Sequence, residues 1–327
     1  MPTDNVLEQP SQQEAQRAAR AMVLLLFAET PVHPGAASGK AALDLPLQRS
    51  VQTEWPIIND ATLRGGLRRY VETRDPADKD ACEKQANSLF GDPNNPGRLS
   101  TPDAEVLLFP VASAKGMTAW ITCKTALEYF ARKLCLFRTF LSKAKGAKSE
   151  GAQVDELISA VKDLKDGTFA TTESKLTWNG RTIILESDSF TEEPETPPVG
   201  AEGAPQRPAD KIAQWFAGVL PATQYWTDRL KTHFVIVPEG AFTHYVLRKT
   251  DIRTRVKIAE GRVDQGPWTE ENIPIDTLLY TIVSTVESNG DAVGEFGKVM
   301  ENQPVLQFGG DQNLGRGMLR VGRLGGN

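Results

Sequence analysis

The sequence is poor in the residues that usually mark a disulfide scaffold or a metal centre. Its 327 residues include only three cysteines and three histidines. Cys82, Cys123 and Cys135 form an odd set without the paired spacing of a zinc site. We interpret Cys123 and Cys135 as packing residues on or beside one predicted helix, and the unpaired set as that of a reduced protein, which predicts a cytoplasmic location.

Long apolar runs and common hydrolase motifs are also missing. The longest apolar run, AMVLLLF at 21–27, is far shorter than the ~20 residues that cross a bilayer, and no signal-peptide cleavage pattern follows it. The sequence has no Gly-x-Ser-x-Gly elbow, no His-Glu-x-x-His and no paired Cys-x-x-Cys. These absences exclude serine hydrolases, zincins and zinc fingers, and they predict a protein without a membrane partner.

The net charge of −5 conceals two segments of opposite sign. Residues 124–148 carry seven basic side chains and one acid, whereas residues 186–203 carry six acids and no base. A mildly acidic chain can therefore still present a basic groove to nucleic acid. A solvated helix face beside an acidic linker explains the same pattern, so the charge alone does not decide between them.

The apolar pattern predicts an α+β fold with a sizeable core. The continuous apolar segment at 21–29 is typical of a central strand that is covered on both faces. A helix capped by Asn59 or Asp60 is predicted to run to about Thr73, with Arg64 and Arg68 away from its apolar stripe.

The second half of the chain predicts a ferredoxin-like, RRM-type unit. From residue 233 onward the segments follow the order β-α-β-β-α-β, and such sheets commonly present one face to single-stranded RNA. We expect the strand at 21–29 to complete that sheet. The result is one domain at 21–327 behind an N-terminal arm at 1–20, with insertions at 75–102 and 140–232 that include an acidic, mobile loop at 187–209.

The loop at 30–55 carries one histidine and one aspartate, His33 and Asp44. They can serve as proton donor and acceptor, or Asp44 can hold a hard divalent ion beside a phosphate. A lone histidine is more often structural, and an aspartate before a Leu-Pro turn is more often solvated. From the residues alone, both interpretations stay open.

A glycine-rich loop, GGDQNLGRG, lies near the C-terminal end at 309–317. Glycines let the backbone approach a ligand closely, and consecutive N–H groups can cradle phosphate oxygens. Arg316 adds a cation, but the loop matches neither the P-loop nor the dinucleotide fingerprint. A tight connecting turn is the alternative. The residues thus indicate an RNA- or phosphate-binding protein. One interpretation is a stand-alone protein that binds a phosphate ligand with the glycine-rich loop.

Four segments in the same order resemble a known family, the backbone RAMP subunit of type III-B CRISPR (Cmr) effector complexes. These segments carry the sequences TPVHPG, LDLPLQR and WPIINDATLRGGLR in the first, and the glycine-rich loop in the last. In chain order they are residues 30–68, 105–123, 251–283 and 309–317.

The resemblance implies a modified RRM palm with large insertions and a protruding thumb hairpin at 253–272. It also implies an assembly in which copies of the subunit stack into a helical filament along a guide CRISPR RNA. The expected partners are that guide, the paired target RNA, further copies of the chain and the other Cmr subunits. The expected activity is cleavage of the target RNA.

The resemblance further implies roles for individual residues. Asp44, in the segment Asp-Leu-Pro-Leu-Gln-Arg, corresponds to the cleaving carboxylate and is the expected ligand of a divalent Mg or Mn ion. His33 corresponds to the second catalytic residue of the 30–55 loop. The target RNA's own 2′-OH would attack the adjacent phosphate. The alternative is a non-catalytic, RNA-binding structural subunit.

We expect contacts to the RNA backbone from arginines and from the glycine-rich loop, because base pairing with a guide would supply the sequence choice. The expected contact residues are Arg49, Arg64, Arg68, Gly309, Gly310, Gly315, Arg316 and Gly317.

Overall fold

A computed structural model describes five ranges of the chain, and all statements below refer to them: 21–36, 43–141, 147–193, 207–286 and 291–325. The predicted arm at 1–20 lies outside the described residues. So do residues 194–206 of the predicted acidic loop.

The elements follow one another as strands and helices in mixed order. The strands are β1 (Ala21–Ala28), β2 (Ile57–Ile58), β3 (Leu99–Ser100), β4 (Ala104–Ser113), β5 (Met117–Thr122), β6 (Phe169–Ala170), β7 (Thr177–Trp178), β8 (Thr182–Leu185), β9 (Asp188–Thr191), β10 (Phe234–Ile236), β11 (Asp251–Ala259), β12 (Arg262–Asn272), β13 (Leu278–Thr285), β14 (Val305–Gln307) and β15 (Met318–Gly325). The helices are α1 (Asp60–Thr73), α2 (Lys79–Phe90), α3 (Lys124–Leu141), α4 (Ala147–Asp163), α5 (Pro208–Val219), α6 (Gln224–Thr232), α7 (Glu239–Arg248) and α8 (Ala292–Val299).

Four antiparallel strands form the palm, in the spatial order β15-β1-β13-β4. Strand β1 pairs with β13 along one edge and with β15 along the other. Helix α1 follows β1 and helix α8 follows β13, so the palm is a β-α-β-β-α-β unit whose two halves are far apart in sequence. The predicted fold class, a modified ferredoxin-like palm with large insertions, is confirmed.

The prediction that the segments from residue 233 onward form a complete RRM-type unit is wrong. Strand β10 pairs with β5 and β6 at the far end of the sheet, and β11 and β12 leave the sheet as a hairpin. The segments after residue 233 do follow the order β-α-β-β-α-β, but their strands belong to two different sheets. The strand that pairs with β13 is β4, which ends at Ser113, and local sequence order cannot reveal a pairing across so long an insertion.

Both faces of the palm are buried, unlike the one open face that such sheets commonly present to RNA, and the prediction that the strand at 21–29 is covered on both faces is confirmed. All eight residues of β1 are buried, and its side chains alternate between two cores. One core contains α1, α2 and α8, and the other contains α3, α4 and α5. The insertion supplies α4 and α5, which cover the face that an isolated RRM leaves open.

Strands β11 and β12 form a two-stranded sheet of their own, which contains the predicted thumb at 253–272. The hairpin turns at Glu260 and Gly261, both with positive φ of 50° and 74°, as a two-residue primed turn requires. Most side chains of β11 are exposed, so the hairpin protrudes from the palm.

The start of the first helix, α1, agrees with the N-cap that the sequence predicts. Helix α1 begins at Asp60, and the Asn59 side chain accepts a hydrogen bond from the Thr62 N–H at 2.8 Å, as expected of an N-cap. Within the five described ranges, no helix combines the length and the apolar character needed to cross a membrane.

Candidate functional site

The loop that carries Asp44 runs beside strand β12 at the base of the hairpin. The Leu45 N–H donates to the Thr269 carbonyl at 3.0 Å, and the Glu271 N–H donates to the Leu45 carbonyl at 3.0 Å. The loop is therefore registered against one short stretch of β12 by backbone hydrogen bonds, which fix the position of the neighbouring Asp44.

Asp44 presents an ionised carboxylate to solvent at this position. Its Oδ2 accepts hydrogen bonds from the Thr269 N–H at 2.7 Å and the Thr269 hydroxyl at 3.0 Å. These two bonds, the backbone one first, hold the pKa of Asp44 below its ordinary value. The side chain is exposed, so the carboxylate is anchored on one oxygen while remaining open to a ligand.

His33 is attached to the same strand and is nearly buried, at 8% exposure. Its Nδ1 lies 2.7 Å from the Glu271 carbonyl oxygen. Because a carbonyl only accepts, Nδ1 carries a proton in this contact, and Nε2 is the ring nitrogen that remains for another partner. A Cβ on Gly35 would come within 3.0 Å of Nε2, so this side of the ring depends on a glycine.

The two predicted catalytic residues are thus brought to one strand. Asp44 is held by Thr269 and His33 by Glu271, two positions further along β12. Two residues of an extended strand span about 7 Å, so both side chains belong to the same local site.

Glu271, which the sequence analysis missed, organises the loop on this side of β12. Its buried carboxylate accepts from the Leu47 N–H at 3.0 Å and from the Thr250 hydroxyl at 2.8 Å. It also forms an ion pair with Arg49. Arg49, predicted to contact RNA, is therefore already engaged with a carboxylate that positions the loop.

Glu270 anchors the glycine-rich loop on the opposite face of β12. It forms ion pairs with Arg316 and, at 2.7 Å, with Arg255, and it accepts from the Trp268 indole N–H at 2.9 Å. Burial alone would raise the pKa of Glu270, but these three donors outweigh it and the pKa is lowered. Asp311 completes the set, 2.8 Å from Arg316.

Arg316, predicted to contact RNA, is only 6% exposed and takes part in this buried network. Its guanidinium joins the loop at 309–317 to the base of the hairpin. The contact of Arg316 with RNA stays a prediction, but its ion pairs give it a structural role.

The predicted loop glycines pack against His33 and the chain beside it. The Gly310 N–H donates to the His33 carbonyl at 3.1 Å, and a Cβ on Gly309 would lie 2.5 Å from the same oxygen. The Gly317 N–H donates to the Pro31 carbonyl at 2.8 Å, and the Gly315 N–H donates to Gln312 within the loop. The N–H groups of Gly310, Gly315 and Gly317 are therefore used inside the chain.

Arg64 and Arg68 lie elsewhere and connect α1 to the end of α2. Arg64 donates to the Phe90 carbonyl and, at 3.2 Å, to the Leu99 carbonyl. Arg68 donates to the Gly91 carbonyl and pairs with Glu72 at 2.7 Å. In the described ranges these contacts do not involve β12, so the structure does not bring these two arginines to the site of Asp44.

A divalent ion would find one protein carboxylate here rather than a cage. No group of three or more His, Cys, Asp or Glu side chains that could hold a metal occurs in the part of the chain that the structure describes. Magnesium is often held by one or two carboxylates together with substrate phosphates and water. The exposed, ionised Asp44 fits a site of that shared kind.

Thr269, Glu270 and Glu271 were not singled out from the sequence. Their signal was two consecutive acids in the segment that the resemblance assigns to the thumb hairpin, in a chain whose loops carry arginines. A buried arginine needs an anionic partner, and a strand projects consecutive side chains to opposite faces. That combination could have paired one acid with each loop.

This palm, with its hairpin and the loops held against β12, defines the class of protein. Residues 26–320 match the RAMP superfamily, and the chain belongs to that family. The predicted resemblance to a Cmr backbone subunit is confirmed by a relative that is 29% identical over 315 residues. That relative is the CRISPR system Cmr endoribonuclease Cmr4 of Pyrococcus furiosus, and the match covers 92% of this chain and 95% of the relative.

Solved structures agree on the fold. The crystal structure of oligomeric Cmr4 from Pyrococcus furiosus matches with a TM-score of 0.66 and 24% identity, covering 94% of this chain and 99% of that one. A chain of the cryo-EM structure of the Type III-B Cmr-beta bound to cognate target RNA matches with a TM-score of 0.69 and 16% identity, covering 94% and 98%. At these identities the structural matches establish the shared fold.

Proposed function

We propose that this chain is an RNA-binding backbone subunit of a type III-B CRISPR complex that cleaves guide-paired target RNA. Support comes from the relative of similar length that is named an endoribonuclease, and from structures of that fold in an oligomer and in a complex bound to target RNA. Its partners are then a guide CRISPR RNA, the target RNA, other Cmr subunits and further copies of itself, within the cytoplasm.

The observation that carries the catalytic part is the anchored, exposed carboxylate of Asp44. Thr269 fixes one of its oxygens and lowers its pKa, so the group is negatively charged at neutral pH and poorly suited to carry a proton. A fixed anion beside RNA phosphates is unfavourable unless a cation is shared between them. We therefore assign Asp44 to holding a divalent Mg or Mn ion against the target phosphate.

The reaction itself uses a nucleophile from the RNA. The ribose 2′-OH loses its proton as its oxygen attacks the adjacent phosphorus, and the bond from phosphorus to the 5′-oxygen of the next nucleotide breaks. The products carry a cyclic phosphate and a 5′-hydroxyl. The bound ion would neutralise the charge that develops on the phosphate, so that one protein carboxylate suffices.

His33 is the candidate for proton handling. Its Nδ1–H is committed to the Glu271 carbonyl, which leaves Nε2 as the acceptor of the neutral ring. The ring is nearly buried, so an RNA 2′-OH would have to reach Nε2 past Gly35. We propose that the main role of His33 is to orient the loop and that accepting a proton is its secondary role.

RNA contacts are proposed for Arg49, Arg64, Arg68 and Arg316 and for the loop glycines at 309, 310, 315 and 317. All four guanidinium groups have partners within the chain. Contact with phosphates would therefore be additional to these bonds or would replace some of them.

A non-catalytic structural subunit is the second candidate. The observation in its favour is that Asp44 belongs to no group of three or more metal-ligating side chains in the described ranges. Such a subunit would bind the guide and shape the duplex while cleavage occurs elsewhere or not at all.

The test is incubation of the reconstituted complex with end-labelled target RNA, with and without EDTA. Evenly spaced cuts that require a divalent ion and disappear with EDTA support the catalytic subunit. An uncut target that remains bound supports the structural subunit. Cuts that persist in EDTA contradict the assignment of a metal to Asp44, and failure to bind guide or target contradicts both candidates.

A further inference from the structure

A cavity of about 300 Å³ opens beside strand β4 of the main sheet, and the proposed cleavage does not use it. It lies between the segment at 50–57 and helix α3. Trp55 and Tyr280 are almost fully buried and form its floor, whereas Tyr129 on α3 is partly exposed. The cavity thus offers one accessible aromatic ring above an aromatic floor.

The single acid in the wall is compensated. Glu105 accepts an ion pair from the Lys133 ammonium at 2.6 Å and a hydrogen bond from the Tyr280 hydroxyl at 2.8 Å. The same ammonium lies 5.1 Å from the centroid of the Tyr280 ring. The carboxylate therefore acts as a neutralised acceptor and does not repel an anionic ligand.

Arg132 supplies an available cation at the rim. Its guanidinium lies 5.2 Å from the centroid of the Tyr129 ring, and the side chain is exposed. Within the described part of the chain, no ion pair engages Arg132, in contrast to Lys133 beside it. The rim is therefore positively charged over a stacking surface.

We infer that this cavity binds one nucleotide of RNA, with the base against Tyr129 and a phosphate at Arg132. A planar, heteroaromatic group linked to an anion matches an aromatic wall with a guanidinium at its rim. The volume lies at the lower end of ligand pockets, roughly 300–1,000 Å³, and so suits a single nucleotide. A purely apolar partner segment would leave the guanidinium of Arg132 without an anion to bind.

The location is consistent with an RNA path. The Ser50 N–H donates to the Trp55 carbonyl at 2.9 Å, so a tight turn brings Trp55 back towards the segment that begins at Asp44. A nucleotide bound here would continue a strand that passes the base of the hairpin. The inference rests on the proposed function, because RNA is the source of the nucleotide.

The test is photocrosslinking in the reconstituted complex, using guide and target RNAs that carry 4-thiouridine, followed by mass spectrometry of the crosslinked peptides. We expect crosslinks on the peptides that contain Trp55 and Tyr129. Tyr129→Leu removes the stacking ring but keeps the bulk, and Arg132→Gln removes the charge. Each should lower the crosslink yield at this cavity by about tenfold.

Arg74→Gln is the matched control, because Arg74 is an exposed arginine at the end of α1 and the change in charge is the same. It should leave the yield unchanged, and all variants should unfold at the temperature of the unaltered chain. Crosslinks that avoid this cavity, in a complex that still binds its guide, would overturn the inference and leave the proposed function intact. A complex that binds no RNA would overturn both.

Discussion

The palm sheet and the hairpin β11–β12 differ in how much of their apolar surface the chain itself buries. All eight residues of β1 are buried between two cores, whereas Ile258 and Val263 near the hairpin tip are 66% and 62% exposed. The palm needs no partner to bury its apolar surface. The hairpin exposes apolar side chains on a protruding element, which is typical of a surface that a partner covers.

The two regions meet at the base of β12, where charged groups replace apolar ones. Glu270 and Glu271 are both buried, and each is compensated by arginine. The proposed site therefore lies at a junction that is held by ion pairs, between a rigid sheet and an exposed hairpin. This junction fixes Asp44 without burying it.

The largest contrast is expected from truncating one apolar side chain in each region. Leu25→Ala leaves a cavity under a fully buried side chain of β1 and should lower the free energy of unfolding by about 3 kcal/mol. Ile258→Ala, at the hairpin tip, should change it by less than about 0.5 kcal/mol. Urea unfolding of both variants measures this. Equal losses would show that the hairpin is part of the cooperative core.

A smaller effect is expected from the junction. Arg316→Met leaves the buried Glu270 with Arg255 as its remaining cation, and should cost about 2 kcal/mol of unfolding free energy, below the full cost of breaking a buried pair. Adding Glu270→Gln should recover part of the loss. Arg320→Met, in the half-exposed pair with Glu29, is the control and should cost less than about 1 kcal/mol. Matching losses for Arg316→Met and the control would mean that the junction is not held by charge.

The smallest effect concerns the pH dependence that Asp44 adds. Because Thr269 lowers the pKa of Asp44 in the folded chain, ionised Asp44 stabilises the fold above the ordinary pKa of 3.8, and this contribution is lost as the pH falls through the lowered value. Asp44→Asn should therefore be slightly less stable than the unaltered chain at pH 7, and the difference should disappear once the pH falls below the lowered pKa of Asp44. A difference that grows on acidification would contradict the bonding of Asp44 by Thr269.

Elements with local signals were predictable from the sequence. The Asn59 cap located the start of α1, and the unbroken apolar run located β1 as a strand covered on both faces. The Asn179-Gly180 turn of the hairpin β7–β8 has positive φ at both residues, as that pair predicts.

Pairings between distant segments were only partly predictable. The strand at 21–29 was expected to join the sheet of the C-terminal half, and β1 does pair with β13 and β15. The pairing of β13 with β4 was not predicted, because no local pattern identifies such a partner. The segments after residue 233 have the order of an RRM unit, but two of their strands, β11 and β12, form the hairpin and are not part of the palm sheet. Helices α4 and α5 of the insertion cover one face of the palm sheet. Their packing is also a contact between distant segments, so no local pattern predicts it.

The candidate site was half predictable. The resemblance singled out Asp44 and His33, and the structure places both against β12 through hydrogen bonds. Arg64 and Arg68 lie on a polar helix face, but the carbonyl groups that they bind come from the end of α2 and from Leu99. A polar helix face predicts exposure to some partner and does not say whether that partner is RNA or the chain itself.

The most direct test of the central claim is single-turnover cleavage of target RNA by complexes reconstituted with Asp44→Asn or with Asp92→Asn. Asp92 is the control, because it is a partly exposed aspartate that also accepts local backbone hydrogen bonds, from the N–H groups of Asn94 at 2.8 Å and Asn95 at 3.0 Å. We predict that Asp44→Asn slows cleavage at least about 100-fold while guide binding is unchanged, and that Asp92→Asn cleaves at the unaltered rate. Cleavage by the Asp44→Asn complex at the unaltered rate would contradict the account.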